Sequence, residues 1–185
     1  MRPISHAMLV AGMFLFLVGT HLLHGQACAA PGAWTVGAQG GWSYNDDEES
    51  FNQYDVVANY GLPWRWRWGR RVQVDTKLTT AAGVLKGGGD SGWVGSLGFQ
   101  FVFSPAQGHG PLELRAGSAL TLLSREKFGD EDFGGPVQFT HHIRLHYRLL
   151  ENLNASVGVQ HMSNAGLYED NPGLNMVMLG LSYQF

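Results

Sequence analysis

His161 and Ser163 are a potential base and a potential nucleophile two residues apart, in the run Val157-Gly158-Val159-Gln160-His161-Met162-Ser163-Asn164. A serine hydroxyl becomes a useful nucleophile when a neighbouring base takes its proton, and histidine is the side chain suited to that task near neutral pH. Side chains two apart on a strand point the same way, with Cβ atoms roughly 6 to 7 Å apart, so suitable rotamers bring Nε2 within reach of Oγ. The odd positions read Leu153, Ala155, Val157, Val159, His161 and Ser163, against Asn152, Asn154, Ser156, Gly158, Gln160, Met162 and Asn164 on the even side. The pair thus ends an apolar face. Taken alone, H-x-S is a weak pattern, because histidine and serine at a strand end also serve simply to meet water or headgroups.

A base of this kind needs a third group to orient the imidazole and fix its tautomer. The last alternating segment of the chain follows after one loop, and its apolar parity is also odd; Asn175 falls on it. If the loop turns around Glu169, Ser163 lies opposite Asn175 and His161 is its diagonal neighbour. Three polar side chains then share one patch of an otherwise apolar wall.

The elements that must position this patch are strands. The chain has 185 residues, with 26 Gly, 6 Trp, 6 Tyr, 10 Phe and a net charge of −3. Its first 29 residues read as an export signal: Arg2 near the start, an apolar run from Met8 to Val18, and Ala27-Cys28-Ala29 as a cleavage site. An uncleaved anchor is the alternative, but the run is short of the roughly 20 residues a span needs; a lipoprotein signal ending at Cys28 is another. Cleavage after Ala29 removes the only cysteine, so residues 30–185 form one domain without a disulfide. The negative charge gives no reason to expect nucleic acid as a partner.

Eight segments of this domain alternate with period two. They are Ala33 to Tyr44, Asn52 to Tyr60, Trp64 to Leu78, Trp93 to Phe103, Leu112 to Leu122, Val137 to Leu149, Leu153 to Ser163, and Val177 to Phe185. His141 and Arg70 are exceptions on the apolar parity. An even strand count suits closure, the polar face carries charges of both signs, and Trp and Tyr cluster at segment ends like membrane girdles. The chain ends in Tyr183-Gln184-Phe185, with a terminal aromatic on the apolar parity. These features predict an all-β fold, an eight-stranded antiparallel transmembrane β-barrel of the Gram-negative outer membrane, with a lumen filled by side chains rather than a pore.

Three turns are predicted at Gly61-Leu62-Pro63, Ser104 to Pro111 and Leu150-Glu151-Asn152. Those of the other set, Asn45 to Ser50, Lys86 to Gly92, Arg125 to Gly135 and Ala165 to Gly173, are longer on the whole and strongly acidic. With short turns periplasmic, the seventh segment runs outward and brings His161 and Ser163 to the outer leaflet, facing lipid. The acidic loops read as solvated surface.

At this point the motif becomes specific. His161-Met162-Ser163-Asn164-Ala165-Gly166-Leu167, followed by Asn171-Pro172-Gly173, resembles the signature of the PagL-type lipid A deacylases, most densely from Phe139 to Phe185. The resemblance implies an outer-membrane barrel that removes the ester-linked 3-O acyl chain of lipid A, with lipopolysaccharide as substrate and no cofactor. It implies Ser163 as nucleophile, His161 as its base, and Asn164 helping to stabilise the oxyanion. One position departs from the pattern: the family has a glutamate two residues after the N-P-G glycine, where this chain has Asn175. An asparagine orients an imidazole but cannot stabilise imidazolium with a charge, so a slower enzyme is expected. Glu169 or Asp170 from the loop is the alternative orienting group. His142 and His146 share a face and His141 does not; with no Cys or paired carboxylate beside them they read as lumen or interface residues rather than metal ligands.

Three rivals remain open: a non-catalytic barrel with a structural or adhesive role, a palmitoyl transferase on a similar barrel, and a soluble β-sandwich. The sequence leaves acyl length unspecified and a homodimer open.

Overall fold

The computed structural model describes residues 32–44, 49–106 and 111–185. The expected signal segment and the acidic run Asp46 to Glu48 lie outside the described residues. In chain order the strands are β1 (Trp34–Ser43), β2 (Phe51–Trp68), β3 (Val72–Gly87), β4 (Asp90–Pro105), β5 (Leu112–Leu123), β6 (Lys127–Phe128), β7 (Glu131–Asp132), β8 (Val137–Arg148), β9 (Leu153–Ser163) and β10 (Leu174–Gln184). Eight of them close into an antiparallel barrel in the order β1-β10-β9-β8-β5-β4-β3-β2, while β6 and β7 form a separate small hairpin. Closure leaves no sheet edge unpaired, which a strand protein in hydrocarbon requires.

The alternation sorts the faces as expected. Exposed outward residues include Val36, Val56, Leu97, Phe99, Leu114, Leu120, Ile143, Val157, Leu179 and Leu181. Aromatic side chains mark both ends of this apolar band. Trp34 meets Tyr60 at a tilt and Tyr183 meets Phe185 edge to face at one end, with ring centroids 5.0 and 5.2 Å apart; Trp42, Tyr44, Tyr54 and Trp93 are exposed toward the other.

Two boundaries differ from the sequence reading. The segment Gly61-Leu62-Pro63 is not a turn: β2 runs through it to Trp68, with a register irregularity between Gly61 and Arg65. A proline cannot donate to the ladder, and a bulge absorbs it without ending the strand. Trp64, Trp66 and Trp68 therefore belong to β2, and the reversal falls at Gly69, whose φ of 61° suits a tight turn. Lys86 to Gly92 is likewise no long loop, because Gly88 and Gly89, with φ of 55° and 81°, join β3 to β4 in a two-residue hairpin. The long connections that distinguish the outer end are thus 44–50, 124–136 and 164–173.

The lumen is filled, but in two layers. Its lower part is polar: Gln39 and Gln53 donate to Asp55, Arg144 bonds Gln39 and Gln160, and Arg115, 2% exposed, pairs with Glu113 at 2.7 Å. Toward the outer end it becomes apolar, a layer absent from the expected charged lumen. Phe51, Phe128 and Phe133 pack edge to face with centroids 5.6 to 6.0 Å apart, over Leu85, Val94, Met162, Leu174 and Met176. The β6–β7 hairpin thus plugs the barrel mouth and gives the rim a firm floor.

A carboxylate ties this plug to the β3–β4 hairpin. Asp90 accepts from the Gly129 N–H at 3.1 Å and from Arg125. The Gly129 bond first, with Arg125 adding to it, holds the Asp90 carboxyl below its ordinary value against desolvation. A depressed pKa stabilises the folded cap above the unfolded pKa, and that support is lost as pH falls through the folded one. The protection factor of the Gly129 amide, its exchange rate relative to the unstructured rate at the same pH, is therefore expected to fall on acidification below the usual aspartate range, and Asp90→Asn to remove that dependence.

Candidate functional site

β9 reaches the outer rim with His161 exposed and Ser163 half-buried, both on the lipid-facing parity. The β9–β10 register sets Asn175 directly across from His161, not from Ser163, because the connection is centred one residue earlier than Glu169. The direct pairing is the better one for an orienting group. His161 Nδ1 lies 2.8 Å from Asn175 Oδ1. An amide oxygen only accepts, so Nδ1 carries the proton and Nε2 presents its lone pair.

Extending the same register by one pair places Gly173 across from Ser163. A Cβ built on Gly173 would lie 3.1 Å from His161 Cε1 and 3.9 Å from Nε2. The imidazole therefore leans over Gly173 and turns its Nε2 edge toward the level of Ser163. Gly173 also has φ of 75°, a conformation that a side chain adopts only with strain. The glycine of Asn171-Pro172-Gly173 is thus required twice, by the backbone and by the ring. Gly173→Ala is expected to lower kcat about 10- to 100-fold by displacing the imidazole, with heat-modifiable gel mobility unchanged.

The turn after Ser163 is built by Asn164, which is 0% exposed. Its Nδ2 donates to Phe133 O at 3.0 Å and Asp170 O at 2.6 Å, its Oδ1 accepts from Gly166 N at 2.8 Å, and its backbone N–H donates to Asn171 Oδ1 at 3.1 Å. Both side-chain protons have partners within the protein, so the amide expected to meet a substrate oxyanion is engaged in holding the turn. Its parity is the reason: Asn164 follows Ser163 directly and so points into the barrel. Leu167 N donates to Asn164 O at 3.0 Å. Within 164–167, among the described residues, Ala165 is left as the residue whose N–H carries no hydrogen bond. Ala165 has φ of 55°, the only non-glycine residue with positive φ among those described, which marks strain held by its surroundings. Asp170 contributes its backbone carbonyl to this turn. The histidine's described partner is Asn175 rather than Glu169 or Asp170.

Two site elements escaped the sequence reading. Asn171 was visible only as part of a motif. Ser118 and His141 come from distant segments, and the register sets His141 across from His161 and Ser118 across from His141. His142 and His146 face the lumen, away from this patch, and line the polar layer with Arg144.

Residues 52–184 match the protein-family model for lipid A 3-O-deacylase (PagL). Over 136 residues the chain is 31% identical to the lipid A deacylase PagL of Bordetella bronchiseptica (strain ATCC BAA-588 / NCTC 13252 / RB50), a match covering 70% of this chain and 75% of that protein. Among solved structures, that of the outer membrane enzyme PagL aligns with a TM-score of 0.70 at 20% sequence identity, over 80% of this chain and 98% of its own.

Proposed function

Because the chain belongs to the lipid A 3-O-deacylase family, we propose that its ester hydrolysis runs through Ser163 as nucleophile and His161 as general base. The protein is an outer-membrane lipid A deacylase, an ester hydrolase whose strands cross the membrane. The observation that carries the assignment is the His161 Nδ1 to Asn175 Oδ1 bond, which leaves Nε2 basic on the same face as Ser163.

Lipid A in the outer leaflet lies laterally against the wall of β8, β9 and β10, its acyl chains along the outward Ile143, Val159 and Val177. His161 Nε2 takes the Ser163 proton as Oγ adds to the ester carbonyl. The tetrahedral oxyanion is met by the backbone N–H of Ala165, in a turn whose shape Asn164 holds. Collapse breaks the bond between the carbonyl carbon and the sugar oxygen, and the imidazolium returns its proton to that oxygen. Water, deprotonated by His161, then hydrolyses the acyl-serine and frees the fatty acid. Asn175 orients the ring throughout but supplies no charge.

Mass spectrometry of lipid A incubated with the purified protein tests this reading. Loss of one ester-linked acyl group, abolished by Ser163→Ala in a protein with unchanged heat-modifiable mobility, is the expected result; persistence of the loss in that variant overturns the nucleophile.

A further inference from the structure

A line of register partners crosses the outer wall at the site. Ser118 on β5 faces His141 on β8, His141 faces His161 on β9, and His161 faces Asn175 on β10. These four polar residues form a continuous row between apolar neighbours: Ala116 and Leu120 flank Ser118, Phe139 and Ile143 flank His141, and Val159 and Val177 lie below His161 and Asn175. The row is oblique to the membrane. Asn175 is next to the outer end of β10, while Ser118 is well inside β5. For strands tilted about 40° and spaced about 4.8 Å, each step across the row descends about 3 Å. It therefore runs from the rim down into the zone of acyl chains.

The catalytic assignment uses the upper half of this row and leaves Ser118 and His141 unexplained. Their side chains bond each other, Ser118 Oγ to His141 Nδ1 at 2.8 Å. That bond steadies the ring and satisfies Nδ1, but His141 Nε2 has no partner among the described residues. A ring nitrogen facing hydrocarbon is costly unless something there bonds it. Simple packing would have been served by an aliphatic side chain, as at its outward neighbour Ile143 on the same strand.

We propose that His141, steadied by Ser118, is a specificity residue that hydrogen-bonds a hydroxyl borne on the scissile acyl chain a few atoms beyond the ester carbonyl. The proposal rests on Ser163 as nucleophile, because that residue fixes where the carbonyl sits. Phe139 is the register partner of Ser163, so His141 is its diagonal neighbour, with Cβ atoms about 7 to 8 Å apart. A carbonyl in contact with Ser163 Oγ, with its chain directed down the wall toward β5, brings a hydroxyl on the third acyl carbon under the His141 ring. An unsubstituted chain leaves Nε2 without a partner. A site built to bond a hydroxyl rejects the analogue lacking it, because its own polar group is then stranded.

The test compares two lipid A substrates that differ only in the scissile chain, one a 3-hydroxyacyl ester and the other an unsubstituted acyl ester of equal length. The full mature protein in detergent is expected to prefer the hydroxylated ester by about tenfold in kcat/KM, the size of one hydrogen bond to a neutral group. His141→Leu brings that ratio to near one, and His141→Gln, which keeps a donor and an acceptor, retains part of it. Ser118→Ala, which loosens the ring, lowers it roughly threefold. An unchanged ratio in His141→Leu overturns the proposal, as does a wild-type ratio of one. The catalytic reading fails separately, if Ser163→Ala turns over either ester.

Discussion

Ser163→Ala is expected to lower the rate of lipid A deacylation by about 10⁴-fold or more, and His161→Ala by a similar factor. The size follows from what each residue supplies. Without Oγ there is no covalent intermediate, and direct attack by water must proceed without a positioned nucleophile. Without the imidazole, Ser163 keeps its proton at neutral pH and the leaving sugar oxygen has no acid. The two act as one unit, so the double variant should be no slower than either single one; a further drop on combining them would show that they act independently. Stability should scarcely move. His161 is exposed on the outer wall and Ser163 sits at the end of β9, and neither belongs to the buried cluster that plugs the barrel mouth. Deacylation kinetics together with heat-modifiable mobility separate a chemical loss from a folding loss.

Asn175 carries the second large effect, and it runs in both directions. Asn175→Leu should reduce kcat about 10²- to 10³-fold, because Nδ1 loses its acceptor at 2.8 Å and the ring is free to rotate or exchange tautomer. Asn175→Asp preserves the length of the side chain and turns a neutral acceptor into a charged one. The carboxylate stabilises the imidazolium that forms as Ser163 attacks, and kcat should rise roughly tenfold. A decrease in Asn175→Asp would mean that Asn175 Nδ2 contributes something the oxygen cannot replace. Single-turnover measurements on both variants place the effect in chemistry rather than in lipid binding.

Much of the barrel could be read from period-two alternation, because a wall between lipid and a polar interior forces every strand to declare its faces. The exceptions have local causes. Pro63 reads as a turn signal, yet the β2–β3 ladder carries it as an irregularity and Gly69 makes the reversal. The apolar plug was hidden because Phe128 and Phe133 lie in a long loop with no alternation to betray them. At the site, His161, Ser163 and Asn175 were legible as a shared parity, and the register then corrected which faced which. Asn164 shows a second use that the alternation itself implies: next to an outward serine it points inward, where its amide holds the turn together. Ser118 and His141 were not legible as site residues, since their meeting with His161 depends on strand pairing between segments far apart in sequence.

Catalysis through Ser163 turns on the chemistry of one oxygen atom. Brief incubation with lipid A, acid quenching and peptide mass spectrometry should find the acyl group as an ester on Ser163. Deacylation that proceeds with the acyl group on another residue, or that persists in Ser163→Ala, would contradict it.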